Sequence, residues 1–179
     1  MLLWYDEYME TLQTLASAAE REWRKNKSTV MFLKSMVDEK TVDKAFHELH
    51  HDIFMSYDCS SCRNCCRKFK GVFSVSELEK AAADLKLTPD QFSDKYLEDG
   101  SNAKGLPCAL LGKDGCILSE EARPEDCRDF PYTSRDNMSE RLNNVLELAS
   151  VCPPVLEMFH HVRSTIRRIE AIKGGEDSY

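Results

Sequence analysis

No stretch of this chain approaches the roughly 18 apolar residues that a membrane-spanning helix needs, which excludes a helical membrane protein. Its first residues, Met1-Leu-Leu-Trp-Tyr5, are apolar but meet Asp6 and Glu7 at once. They lack the basic start and the run of about seven or more apolar residues that mark an export signal. Positive charge is not in excess either: 24 Lys and Arg against 31 Asp and Glu leave a net charge of −7. Phosphate binding rests on clustered positive charge, so a general nucleic-acid binder or anionic-membrane binder is excluded as well. The chain has no repeat, no low-complexity tract, no glycine-rich cofactor loop and no recognisable nucleophile–base pair. The compartment expected from these absences is the cytoplasm, where thiols stay reduced.

What the chain does have is eight cysteines in 179 residues. Four fall within a few positions of one another, Cys59-Ser-Ser-Cys62-Arg-Asn-Cys65-Cys66, and Cys108, Cys116, Cys127 and Cys152 follow at wider spacing. With 42% hydrophobic and 31% charged residues, the chain can bury a core without cysteine staples. In a reducing compartment such a run is far more often a metal or iron–sulfur site than a set of disulfides.

Residues 2–25 read as an amphipathic helix, since Leu2, Tyr5, Tyr8 or Met9, Leu12, Leu15, Ala16, Ala19 and Trp23 recur at spacings of three and four. Trp4, Trp23 and the N-terminal tyrosines form a stripe suited to core or to a dimer face. A short apolar piece, Val30-Met-Phe-Leu33 to Met36, follows. A second helix runs from about Thr41, the expected N-cap, to Met55, with Val42, Ala45, Phe46, Leu49 and Ile53 inward. Residues 1–56 thus make an N-terminal helical extension, suited to packing support or to docking a protein partner. Residues 57–173 make a cysteine-cluster domain, and 174–179 a disordered tail.

Within that domain the cluster occupies a loop over 57–72, ending near Gly71. Ser74-Val-Ser-Glu77 is a capping box that opens a helix over 75–85, and Thr88-Pro-Asp-Gln91 a second one that opens a helix to about Leu97. Cys108 to Leu118 reads as a β-hairpin turning at Asp114-Gly115, which brings Cys108 and Cys116 together across its strands. Pro124 opens a short helical turn carrying Cys127, closed by Phe130-Pro131. Residues 139–149 favour a helix over a strand near Val145. Pro153-Pro154 start a last helix to about Ile172, with Leu156, Phe159, Val162, Ile166 and Ile169 inward. The fold class is mainly α: a helical domain with one small β-hairpin and a metal-pinned cysteine-rich loop.

A C-x2-C step lets two thiolates converge on one ion while the turning backbone offers amide N–H groups to the sulfurs, and both zinc knuckles and iron–sulfur loops are built this way. Adjacent Cys65 and Cys66 point in different directions. One of the pair therefore serves a different centre, or a different ion of one cluster, or is a reactive thiol. Eight thiolates suffice for two tetrahedral sites or for one four-iron cluster with thiols left over. Cys59, Cys62 and Cys65 have the spacing of bacterial ferredoxin loops, and Cys152-Pro153 supplies a distant cysteine followed by proline. Zinc suits purely thiolate tetrahedral coordination. Both cofactors fit. Arg63, Arg67, Lys68 and Lys70, with no acidic residue from Ser60 to Val75, favour thiolates and offset an anionic centre, or else form a solvated basic loop.

His47-Glu48-Leu49-His50-His51 satisfies the H-E-x-x-H pattern of zinc proteases. His50 and Asp52 put polar groups where such helices are apolar, so a solvated helix face is the better reading. His160-His161 reads as a surface pair, with a place for one of them near the cluster as the alternative.

The order Cys59-x2-Cys62-x2-Cys65-Cys66, Cys108-x7-Cys116, Arg123-Pro124-x2-Cys127-Arg128-x-Phe130-Pro131 and Cys152-Pro153 resembles the YkgJ-type or CxxCxxCC cysteine-cluster family, described as a zinc- or iron-chelating domain. The resemblance covers about residues 57–155 and extends to Leu87-Thr-Pro-Asp-Gln-Phe92 and Tyr96. It implies chelation of zinc or iron through these cysteines. A related cluster accompanies methyl transfer from S-adenosylmethionine in flagellin lysine N-methylases, an activity not carried over in the absence of a cofactor loop. Arg123 and Arg128 match the motif, with sulfur, carbonyls or nearby carboxylates as their expected partners.

The leading expectation is a metal-binding protein with a redox or accessory role, whose metal ligands are Cys59, Cys62, Cys65, Cys108, Cys116, Cys127 and Cys152, with Cys66 an eighth ligand or a reactive thiol. The alternatives are a structural-zinc scaffold that engages a partner through its N-terminal helices, and a metal-dependent methyltransferase or oxidoreductase.

Overall fold

The apolar periodicity of the first helix does not stop at residue 25. In the computed structural model, which describes residues 12–176, one helix, α1 (Leu12–Met36), absorbs the Val30–Leu33 run that reads as a separate piece. Leu15, Ala19, Asn26, Thr29, Val30 and Leu33 recur on one buried face, and no Gly or Pro interrupts it. Trp23 is 39% exposed and does not belong to the core. The expected helical residues 2–11, with Trp4, Tyr5 and Tyr8, lie outside the described residues.

The second helix, α2 (Glu39–Phe54), begins earlier than expected because Asp38, not Thr41, caps it. The Asp38 carboxylate accepts the Thr41 N–H at 3.0 Å and the Thr41 hydroxyl at 2.6 Å. Aspartate is the stronger cap, and Thr41 becomes a buried helical residue that braces it. Val42, Ala45, Phe46 and Leu49 are buried as expected, and Ile53 is half-buried.

The chain divides into two units, one of residues 1–57 with 131–179 and the other of residues 58–130. In the first, α2 lies along α9 (Pro153–Glu176), with α1 and α8 (Met138–Leu148) packed on the pair. Phe46 and Phe159 meet edge-on at 6.2 Å, and Leu142, Val145, Val162, Ile166 and Ile169 fill the core around them. The Asp43 carboxylate accepts the Asn137 and Met138 N–H groups at 3.1 and 2.8 Å, so α2 caps the start of α8. The last helix continues through Gly174 and Gly175, and residues 177–179 lie outside the described residues.

The second unit is built on both expected capped helices, α5 (Val75–Asp84) and α6 (Pro89–Tyr96). Their apolar faces join Phe73, Phe92, Leu97, Leu110, Leu118 and several alanines in one small core, and Cys108 and Cys116 pack against it. The hairpin is shorter than its apolar flanks imply: β1 (Leu111–Gly112) pairs antiparallel with β2 (Gly115–Cys116). Cys116 lies opposite Leu111, not Cys108, whose carbonyl instead accepts the Leu111 N–H in a preceding turn. No helix among the described residues is long and apolar enough to cross a membrane.

Candidate metal centre

The cysteine run is not an irregular loop. It forms two short helical turns, α3 (Cys59–Cys62) and α4 (Asn64–Lys68), separated by Arg63 in the left-handed region at φ 55°. A three-residue step puts Cys59 and Cys62 on one face of the first turn. The break at Arg63 restarts the helix, so Cys65 and Cys66 open a second turn with their sulfurs 4.0 Å apart. A left-handed non-glycine residue needs local support. Arg63 donates to the Lys113 carbonyl at 2.6 Å, tying the break to the hairpin turn, and Arg67 donates across the break to the Cys62 carbonyl at 2.9 Å.

Three further cysteines come to this run from distant parts of the second unit. The Cys108 N–H donates to the Cys66 carbonyl at 2.8 Å, and the Cys108 sulfur faces the backbone N–H groups of Leu110 and Gly71. Cys116 enters on β2, which packs against α3. Cys127 rides on α7 (Glu125–Arg128), and its sulfur lies 2.8 Å from where a Cβ on Gly71 would stand. The Phe130 ring meets Phe69, just after α4, at 5.5 Å. Gly71 therefore serves two thiols: its missing side chain makes room for Cys127 and its N–H is directed at Cys108. No local sequence signal marks it, because both partners lie far along the chain.

The electrostatics follow from this crowding. Burial, joined by Cys62, Asp58 and Cys66, raises the Cys59 thiol to about 11. Burial raises Cys127 to about 12, with Asp126 and the sulfurs of Cys66, Cys108 and Cys116 adding to the effect. Both residues are exposed as a whole; for Cys127, whose sulfur packs onto Gly71, the contact outweighs the residue-wide exposure. Burial also raises Cys108. The hydrogen bond with Cys65 pushes Cys66 furthest up, while Arg123 and Arg67 act in the opposite sense. Arg123, singled out by its motif, also donates to the Leu118 carbonyl at 3.4 Å.

Cys152 lies in the first unit, buried just before α9. The H-E-x-x-H residues lie on α2 and are engaged elsewhere: Glu48 pairs with Arg168 at 2.5 Å, His47 faces Asp136 at 3.4 Å, and the exposed His51 faces Asp52 at 3.4 Å. His161 is exposed and pairs with Glu157 at 2.7 Å. His160 is not a plain surface residue, because it sits half-buried between Glu22 at 2.9 Å and Glu157 at 3.6 Å. Sequence reading missed this because Glu22 lies on α1, far along the chain.

Four thiolates around zinc at about 2.3 Å stand about 3.8 Å apart, close to the 4.0 Å between Cys65 and Cys66. Among the described residues no three His, Cys, Asp or Glu side chains form a ready-made cage. A zinc or iron ion would take these cysteines as thiolates, so binding it requires loss of their protons. The donor set, all sulfur with backbone N–H groups and two arginines beside it, suits zinc or iron and not a hard cation.

Fold and site together define a helical protein carrying a cysteine cluster. A family model described as "CxxCxxCC: Putative zinc- or iron-chelating domain" matches residues 58–153, more than half of the chain, and the chain belongs to that family. No curated protein and no solved structure matches it.

Proposed function

We propose that the second unit chelates zinc or iron through its clustered cysteines, and that the metal first of all holds this unit's fold, in an accessory role. The observation that carries this reading is the size of the elements that deliver the thiols. Helical turns of four, five and four residues and a strand of two carry six of this unit's seven cysteines, and Cys108 lies in the turn before β1. Pieces this short are unstable alone. A metal ion that cross-links them contributes folding free energy directly. A reducing, cytoplasmic setting belongs to the same proposal, since disulfide formation would consume the ligands.

The test is metal content of protein purified without oxygen. Colourless protein carrying zinc supports a structural centre. Brown protein with iron, inorganic sulfide and absorption near roughly 400 nm shifts the role towards electron transfer. Native protein free of metal overturns the proposal, as does unchanged metal content in both Cys59→Ser and Cys127→Ser.

A further inference from the structure

Buried polar atoms without a hydrogen-bond partner gather at one place in the first unit. Among the described residues six such side-chain atoms occur, and five of them belong to Glu22, Asn26, Glu157 and His160. Asn26 is only 1% exposed, and neither its amide oxygen nor its amide nitrogen is bonded. Burying an unmatched amide is costly, so a bound water or ion is expected to meet it. Helical spacing brings the four residues together. On α1, Glu22, Asn26 and Thr29 follow at steps of four and three along one face. Both ends of that row touch α9: the Glu22 carboxylate faces His160 Nε2 at 2.9 Å, and the Thr29 hydroxyl accepts from Arg163 Nε at 2.9 Å. Asn26, between them, is therefore directed at α9. On α9, Glu157 and His160 stand three residues apart, the spacing by which helical bundles present a carboxylate and an imidazole to one ion.

Glu22 Oε2 and His160 Nε2 are close, yet neither has the alignment of a hydrogen bond. Two ligand atoms about 2.1 Å from one ion and at a right angle to each other stand about 3.0 Å apart, which matches their separation. We infer that Glu22 Oε2, Asn26 Oδ1 and His160 Nε2 form a site for a divalent first-row transition metal, held by oxygen and nitrogen and by no cysteine. Carboxylate, amide and imidazole donors suit manganese, iron or zinc. The set includes only two of His, Cys, Asp and Glu, and no group of three of these forms a cage among the described residues. Glu157 is a positioning residue: it faces His160 Nδ1 at 3.6 Å while its other oxygen pairs with His161 at 2.7 Å. Metal on Nε2 leaves the imidazole proton on Nδ1, directed at this carboxylate, which fixes the ring. A divalent ion balances both carboxylates, which a water molecule cannot do. The nearby cations leave room for it: Lys25 meets Glu22 from the exposed side at 3.6 Å, and Arg163 is taken up by Thr29 and the Phe32 ring.

The test titrates full-length protein, dialysed to clear loosely held ions, with manganese, an ion that soft thiolates do not favour. Electron paramagnetic resonance counts the bound ions, and pulsed measurements on protein carrying heavy-nitrogen histidine detect any imidazole bonded to them. The expected result is one such ion per chain, coupled to a single imidazole nitrogen. His160→Gln should abolish that coupling. Glu22→Gln and Asn26→Leu should each weaken binding by about tenfold or more, and Glu157→Gln should weaken it with the coupling kept. Cys59→Ser should change neither affinity nor coupling. The wild-type spectrum decides even where a variant fails to fold. Absence of bound manganese, the outcome if water alone fills the site, overturns the inference. So do manganese without imidazole coupling, coupling that survives His160→Gln, and unchanged affinity in Glu22→Gln or Asn26→Leu.

Discussion

Gly71 shows how a residue without a side chain can act on a thiol cluster. A methyl group there meets the Cys127 sulfur at 2.8 Å, closer than real Cβ contacts come, so the sulfur must move. Gly71→Ala is expected to weaken metal binding by on the order of tenfold, as changes in the groups supporting a metal site do. A competition titration against a chromogenic chelator measures it, and unchanged affinity would show that Cys127 is not a ligand. The thiols themselves set a second expectation. With Cys59 raised to about 11 and Cys127 to about 12, both are protonated at neutral pH, so the metal must displace their protons. Apparent affinity should therefore rise with pH, by up to about one decade per unit for each thiol that ligates. A pH-independent affinity would mean that these sulfurs stay protonated and unbound.

At the scale of elements, Glu77 couples two of them. It completes the capping box of α5 by accepting the Ser74 N–H at 2.9 Å, and its other oxygen accepts the Glu125 N–H at 2.7 Å, which begins the turn carrying Cys127. The Glu125 N–H and Ser74 hold its carboxyl below the usual range. Its contribution is thus present above about pH 4.3 and lost as pH falls through the depressed folded value. Glu77→Ala should cost about 1 kcal/mol or more near neutral pH, with the gap to wild type closing in acid. Denaturant titration at two pH values checks both parts. The capping box was legible in the sequence because it is local. The second bond was not, because it joins Glu77 to Glu125. The same division separates the helices over 75–84 and 89–96, where sequence and structure agree, from the cysteine run, where the left-handed Arg63 depends on its bond to Lys113.

At the scale of the molecule, the two units differ in what holds them. The first has Phe46, Phe159, Leu142, Val162, Ile166 and Ile169 packed among long helices. The second has a small core with several alanines, extended by cysteines. Stripping the metal with a chelator under reducing conditions should raise amide exchange mainly in residues 58–130 and leave the buried faces of α2 and α9 protected. Exchange mass spectrometry reads this directly, and equal loosening of both units would argue against a metal that chiefly braces the second. The helical class, the capped helices and the cysteine order that places the chain in its family are legible from the residues alone, because these depend on periodicity and short spacing. Which thiols meet, and that Gly71 borders Cys127, are settled only when the chain folds. Those outcomes depend on contacts between residues distant in sequence, and no local pattern encodes where a folded chain returns to itself.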